Sequence, residues 1–167
     1  MAVGLSFYPM KKYKTYVITL SQVFPVTHVR NGEPTGFKDK FLAAIKQLEG
    51  EWWKIHTIRA NYELWKKRFD EIAAGNACLA IRQWTGRPYK SRQIELARLT
   101  REDGIGLQCL TFYDSRIIYP IIDGNYQPSI KEISTNDGLS KDSWIEWFSG
   151  YDLSKPMAII LFTNYRY

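Results

Sequence analysis

Hydrophobic positions recur along this chain at two different periods, and the change of period organises it. YVITL, residues 16–20, reads as a short β-branched strand. FPVTHVRNGEPTG follows it with two prolines and two glycines, the composition of a loop. FKDKFLAAIKQL then places Phe37, Phe41, Ile45 and Leu48 on one helical face, with Thr35 as its cap and Gly50 as its stop. HTIR reads as the next strand. NYELWKKRFDEIAAG aligns Leu64 or Trp65 with Phe69 and Ile72 behind an Asn61 cap.

From Ala77 the period shortens to that of strands: ACLAIRQW, RQIELARL and GIGLQCLTFY, with SRIIYPII pushed to an edge or a bulge by Pro120. NDGLSKDSWIEWF reads as a turn feeding a helix, capped by Ser140 or Asp142, with Trp144, Ile145 and Phe148 as its apolar face. PMAIILFTNYRY closes as a strand. Clustered short strands with separate helices predict an α+β domain, a small curved sheet or barrel flanked by helices.

Composition narrows the class. A chain of 167 residues, 45% apolar and 15% aromatic, suits one packed domain spanning residues 1–167, with residues 1–15 as an N-terminal extension. No window approaches the roughly 18 apolar residues of a membrane span. The opening MAVGLSFYPMKKYK carries its lysines after a short apolar run, the reverse of a secretory signal. Cys78 and Cys109 sit in apolar runs and read as buried free thiols, which fits a reducing cytoplasm. Two histidines and two scattered cysteines offer no metal-ligand spacing, so neither metal nor cofactor is expected.

The net charge of +6 is unevenly placed. Residues 54–101 hold 11 Lys and Arg against 4 Asp and Glu, while the remainder holds 12 against 13. A localised basic segment suits an anionic partner such as a nucleic acid, or it serves solubility.

Two stretches of that segment carry candidate chemistry. In KIHTIR, Lys54, His56, Thr57 and Arg59 either form a solvated strand end or converge on a ligand. In IRQWTGRPYKSRQ, Arg82, Arg87, Lys90 and Arg92 interleave with Trp84 and Tyr89, and Gly86 and Pro88 make the middle a turn. Cations neutralise phosphate, aromatic faces stack bases, and Gln83 and Gln93 suit a base edge. The plainer alternative is a hairpin whose Trp84 caps the core and whose charges are solvated. Trp52 and Trp53 either sandwich a flat ligand or divide between core and surface. Lys66, Lys67 and Arg68 read as a solvated face, as do Asp142 and Glu146. His28 has no partner in sequence and receives no role.

KIHTIR resembles the lysine-x-x-threonine-isoleucine-arginine motif near the start of ASCH domains, relatives of the PUA-like RNA-binding fold. NDGLSKDSWIEWF resembles the acidic-residue and helix segment near the end of those domains, and IILFTNYRY their closing strand. The likeness spans Tyr16 to the C terminus, with a longer middle than the family pattern. It implies a PUA-like barrel that holds RNA or a nucleotide-like ligand in a cleft beside it. In the family's enzymes it implies hydrolysis of the amide of an N-acetylated cytidine by a lysine, a threonine and a glutamate. By motif position those roles fall on Lys54, Thr57 and Asp137, an aspartate here.

The chemistry is intelligible. A threonine hydroxyl attacks once a base removes its proton, and a lysine serves as base when burial or a neighbouring cation such as Arg59 or His56 lowers its pKa. One geometric condition applies: on an uninterrupted strand Lys54 and Thr57 point to opposite faces, so they meet only if the strand starts after Lys54 or is bulged. The expected function is ligand or RNA recognition on a floor of Lys54, Thr57 and Arg59 with the Trp84 hairpin as rim. Amide hydrolysis and a protein-interaction module built on exposed aromatics are the alternatives.

Overall fold

A computed structural model describes residues 12–167. It is an α+β fold in which two open sheets share one apolar core with the helices. β1 (Lys14–Leu20) starts inside the expected N-terminal extension, whose residues 1–11 lie outside the described residues. α1 (Phe37–Lys46) buries Phe37 and Phe41, as its periodicity requires. Its cap is Gly36 at φ 70°, not Thr35, although the Thr35 hydroxyl accepts from the Phe37 N–H at 3.2 Å. It stops at Gln47, before Gly50, because Gln47 turns left-handed and donates back to Ala43 and Ala44.

β2 (His56–Ala60) leads directly into α2 (Tyr62–Ala73), where the Asn61 side chain accepts from the Leu64 N–H as a true cap. β3 (Ala77–Trp84) and β4 (Gln93–Leu99) form the expected hairpin. β1 adds to the other side of β3 in parallel, completing a three-stranded sheet β1-β3-β4. β5 (Gly106–Phe112), β6 (Pro120–Ile122) and β7 (Met157–Leu161) join β2 in an antiparallel sheet of order β2-β7-β5-β6. Pro120 opens a three-residue edge strand, the position a residue without an N–H tolerates.

The barrel expectation is corrected here. Closure needs the edge strands of one sheet to pair with those of the other. Among the described residues neither edge of β1-β3-β4 pairs with β2 or β6, the edges of the other sheet, and β6 is too short to extend a ladder. Between β6 and β7 lie two short helices, α3 (Ile130–Asn136) and α4 (Lys141–Phe148), each capped by a serine, Ser129 and Ser140. The fully buried Trp144 of α4 packs near Phe112 and Phe148 and ties this pair to the core.

Candidate functional site

The loop before β2 does not behave as strand. The Lys54 N–H donates to the Lys40 carbonyl on α1, and the Ile55 N–H to the Asn136 carbonyl at the end of α3. Ladder pairing begins only at His56, opposite Leu161. Freed of strand parity, Lys54 lines the same cavity as Thr57, which settles the geometric condition set by the sequence. Within β2, Thr57 and Arg59 are two apart and line that cavity together, of about 230 Å³.

Lys54 is 1% exposed and spends its ammonium on one neighbour: Nζ donates to the Asp137 carboxylate at 2.6 Å and to its carbonyl at 2.7 Å. The same Nζ lies 4.1 Å from the centre of the Phe37 ring. Asp137 reaches this place because Gly138 follows it at φ 79°, a left-handed turn that also lets the chain pass against Lys54. A β-carbon on Gly138 would stand 3.1 Å from the Lys54 β-carbon. Lys40 fixes the turn from the other side, donating to the Gly138 carbonyl at 2.9 Å.

Electrostatics follow from burial and from the pair. Burial draws Lys54 below the ordinary lysine value, opposed by the Asp137 carboxylate. Burial also presses on Asp137, but Lys54 and His56 together outweigh it and hold the carboxyl below its ordinary value. His56, expected among the ligand contacts, is instead sealed at 0% exposure on the other face of β2. The reason is its parity, opposite to that of Thr57.

His56 is held from both ring nitrogens' sides. The Tyr167 hydroxyl, which accepts from the Asn136 amide at 3.0 Å, shares a hydrogen bond with His56 Nε2 at 2.7 Å. Nδ1 faces the Asp137 carboxylate at 3.7 Å. Burial lowers the His56 pKa and keeps the ring neutral, while burial pushes the Tyr167 hydroxyl far upward. Sequence reasoning does not reach Tyr167, because nothing in NYRY marks which tyrosine turns inward.

Arg59 donates from Nη2 to the Thr19 carbonyl at 2.8 Å, and its Nε is sealed from solvent with no acceptor among the described residues. Thr57 is 6% exposed, and among the described residues its hydroxyl makes no hydrogen bond. A second cavity of about 250 Å³ adjoins the first, lined by Trp84, Pro88 and Tyr89 of the hairpin. Thr19, Ser21 and Arg59 belong to both. Trp84 and Tyr89 stand 5.3 Å apart between ring centres, and Tyr89 is 87% exposed.

The remaining rim residues divide. Arg82 is paired with Glu95 at 3.4 Å, which also holds Arg98, so its charge is spent on the sheet. Arg87, Lys90 and Arg92 are exposed on the hairpin and line neither cavity. Gln83 is buried at 6% and is not available to read a base edge. Trp52 and Trp53 use their indole N–H groups on the Thr135 and Leu48 carbonyls, and Lys40 Nζ covers the Trp52 face at 3.9 Å.

His28 does have a role, a structural one. It accepts the Arg30 N–H and donates to the Ser143 carbonyl at 3.0 Å, pinning its loop to α4 beside Phe24 and Trp147. Both cysteines are free, Cys78 buried and Cys109 partly so. Among the described residues no group of three or more His, Cys, Asp or Glu is placed to hold a metal, and no helix is long and apolar enough to cross a membrane. In comparisons with protein-family models, curated proteins and solved structures, nothing matches the chain.

Two outcomes follow from this geometry. Lys54→Met leaves the Asp137 carboxylate buried without its partner and costs about 3–5 kcal/mol in urea unfolding, whereas Lys54→Met with Asp137→Leu recovers much of that loss. The sign for His56 is that of a base with a depressed folded pKa: the unfolded chain takes up a proton near the ordinary 6.5 while the folded chain does not. Stability therefore falls as pH drops through that value towards 5, and thermal melts of His56→Gln over the same range show a shallower decline.

Proposed function

We propose that the protein is a PUA-like, ASCH-type domain that binds RNA or a nucleotide-like ligand in the cleft running from Lys54 and Thr57 to the Trp84 hairpin. One observation carries this reading. Arg59 and its neighbours Thr19 and Ser21 are shared by an inner cavity that holds Lys54, Thr57 and Asp137 and an outer groove lined by Trp84 and Tyr89, which brings the expected floor and part of the expected rim together. Trp84 and Tyr89 offer stacking faces there, each worth about 1–3 kcal/mol to an unpaired base. Beyond them Arg87, Lys90 and Arg92 present exposed positive charge where a strand leaving the groove would pass.

Binding is favoured over catalysis by the state of Lys54. A lysine acting as general base needs its lone pair near the nucleophile, but this ammonium is committed to two oxygens of Asp137 and makes no hydrogen bond to Thr57. The second reading, deacylation of an N-acylated pyrimidine nucleoside, is supported by the unpartnered Thr57 hydroxyl in the same cavity as the Lys54–Asp137 pair.

Affinity for a short single-stranded RNA, measured by fluorescence anisotropy, should fall steeply with salt. Substituting Arg87 and Lys90 by alanine should flatten the log–log slope by about 1.4, from about 0.7 per phosphate contact on a single strand; an unchanged slope removes the hairpin from the interface. For the second reading, incubation with N4-acetylcytidine should release acetate at a rate abolished in Thr57→Ala. Absence of turnover, or turnover indifferent to that change, disposes of it.

A further inference from the structure

The charge balance of the cleft narrows the class of ligand, on the premise that the cleft binds one as proposed above. Three ionic side chains line the inner cavity: Lys54, Arg59 and Asp137. Asp137 pairs with Lys54 at 2.6 Å and is faced by His56 at 3.7 Å, and it makes no ion pair with Arg59. Among the described residues no carboxylate lies within 4.0 Å of the Arg59 guanidinium. Among the described residues its one acceptor is the neutral Thr19 carbonyl: Nε is sealed without a partner, and Nη1 makes no hydrogen bond to the protein. A guanidinium held this way keeps a positive charge and at least one directed N–H for something the protein does not supply. Burying such a group costs stability unless an anion completes it.

Its position tells what kind of anion. Arg59 stands where the two cavities meet. On the inner side the aromatic residues Phe37, Trp147, Phe148 and Tyr151 line the cavity, and on the outer side Trp84 and Tyr89 do. Flat surface, positive charge, flat surface is the order in which a nucleotide strand presents base, phosphate and next base. A planar guanidinium fork is matched to phosphate oxygens, which a free nucleoside lacks.

We propose that Arg59 is the phosphate seat of the cleft, so that the ligand is a phosphate-bearing nucleotide and not a free nucleoside, its base lying in the inner cavity. The phosphate comes either from a mononucleotide or from the phosphodiester of a strand whose next base stacks on Trp84 and Tyr89.

Intrinsic tryptophan fluorescence and calorimetry with cytidine, cytidine monophosphate and a pyrimidine trinucleotide test this. In the unaltered protein the monophosphate binds about tenfold or more tightly than cytidine, as expected of a charge-assisted fork contact. Arg59→Gln brings the affinity ratio of monophosphate to cytidine down to about one, and Arg59→Lys retains part of the preference. Should Arg59→Gln fail to fold by circular dichroism, the wild-type ratio and the Arg59→Lys ratio still decide. Tighter binding of the trinucleotide, lost in Trp84→Ala, assigns the phosphate to a strand; equal binding of trinucleotide and monophosphate assigns it to a free nucleotide. Equal affinity for cytidine and its monophosphate overturns the phosphate seat and leaves the binding reading standing. If none of the three binds, both fall.

Discussion

The buried contact between Lys54 and Asp137 is the constraint on which the rest of this structure depends. It joins the loop ahead of β2 to the joint between α3 and α4, residues 83 apart in sequence. Neither group is tolerable alone at that depth, since an unpartnered buried charge is among the costliest defects a fold can carry. The pair therefore acts as a mutual condition: the loop must leave strand geometry at Lys54, and the chain must turn left-handed at Gly138, for either to be satisfied. Those two local departures create the cavity. A regular strand through Lys54 would have turned its ammonium to the other side of the sheet.

Much of the secondary structure is legible in the sequence because local rules and tertiary packing agree. The bounds of β3 coincide with ACLAIRQW, Asn61 caps α2, and Ser140 caps α4 as the pattern predicts. The failures have particular causes. α3 escapes the periodicity because seven residues with Ile130 and Ile133 as their apolar face are too few to establish a period, although Ser129 and Glu132 carry a capping pattern. α1 ends early because Gln47 adopts a conformation more typical of glycine or asparagine.

The site is legible in part for similar reasons. A motif and the acidic residue before a glycine draw Lys54, Thr57 and Asp137 together, and the three line one cavity. His56 is misplaced when adjacency in sequence is taken for adjacency in space, since alternation along β2 sends it to the opposite face. The charges of 81–93 look like one patch in sequence. Whether an arginine is free depends on partners remote along the chain, and Glu95 on the next strand takes Arg82. Tyr167, which hydrogen-bonds His56, lies 111 residues from it and leaves no sequence signature, nor does the Asn136 amide that donates to the tyrosine.

The order β2-β7-β5-β6 puts the sheet's last described strand in chain order, β7, between β2 and β5. Among the described residues β2 has no other ladder partner, and β5 has only the three-residue β6 on its other side. While the chain emerges from the ribosome, β2 thus waits without a ladder partner until Met157–Leu161 arrives to bridge it to β5. Assembly of this sheet is consequently a late, zipper-like event, and the interval before it is when a chaperone has most to shield.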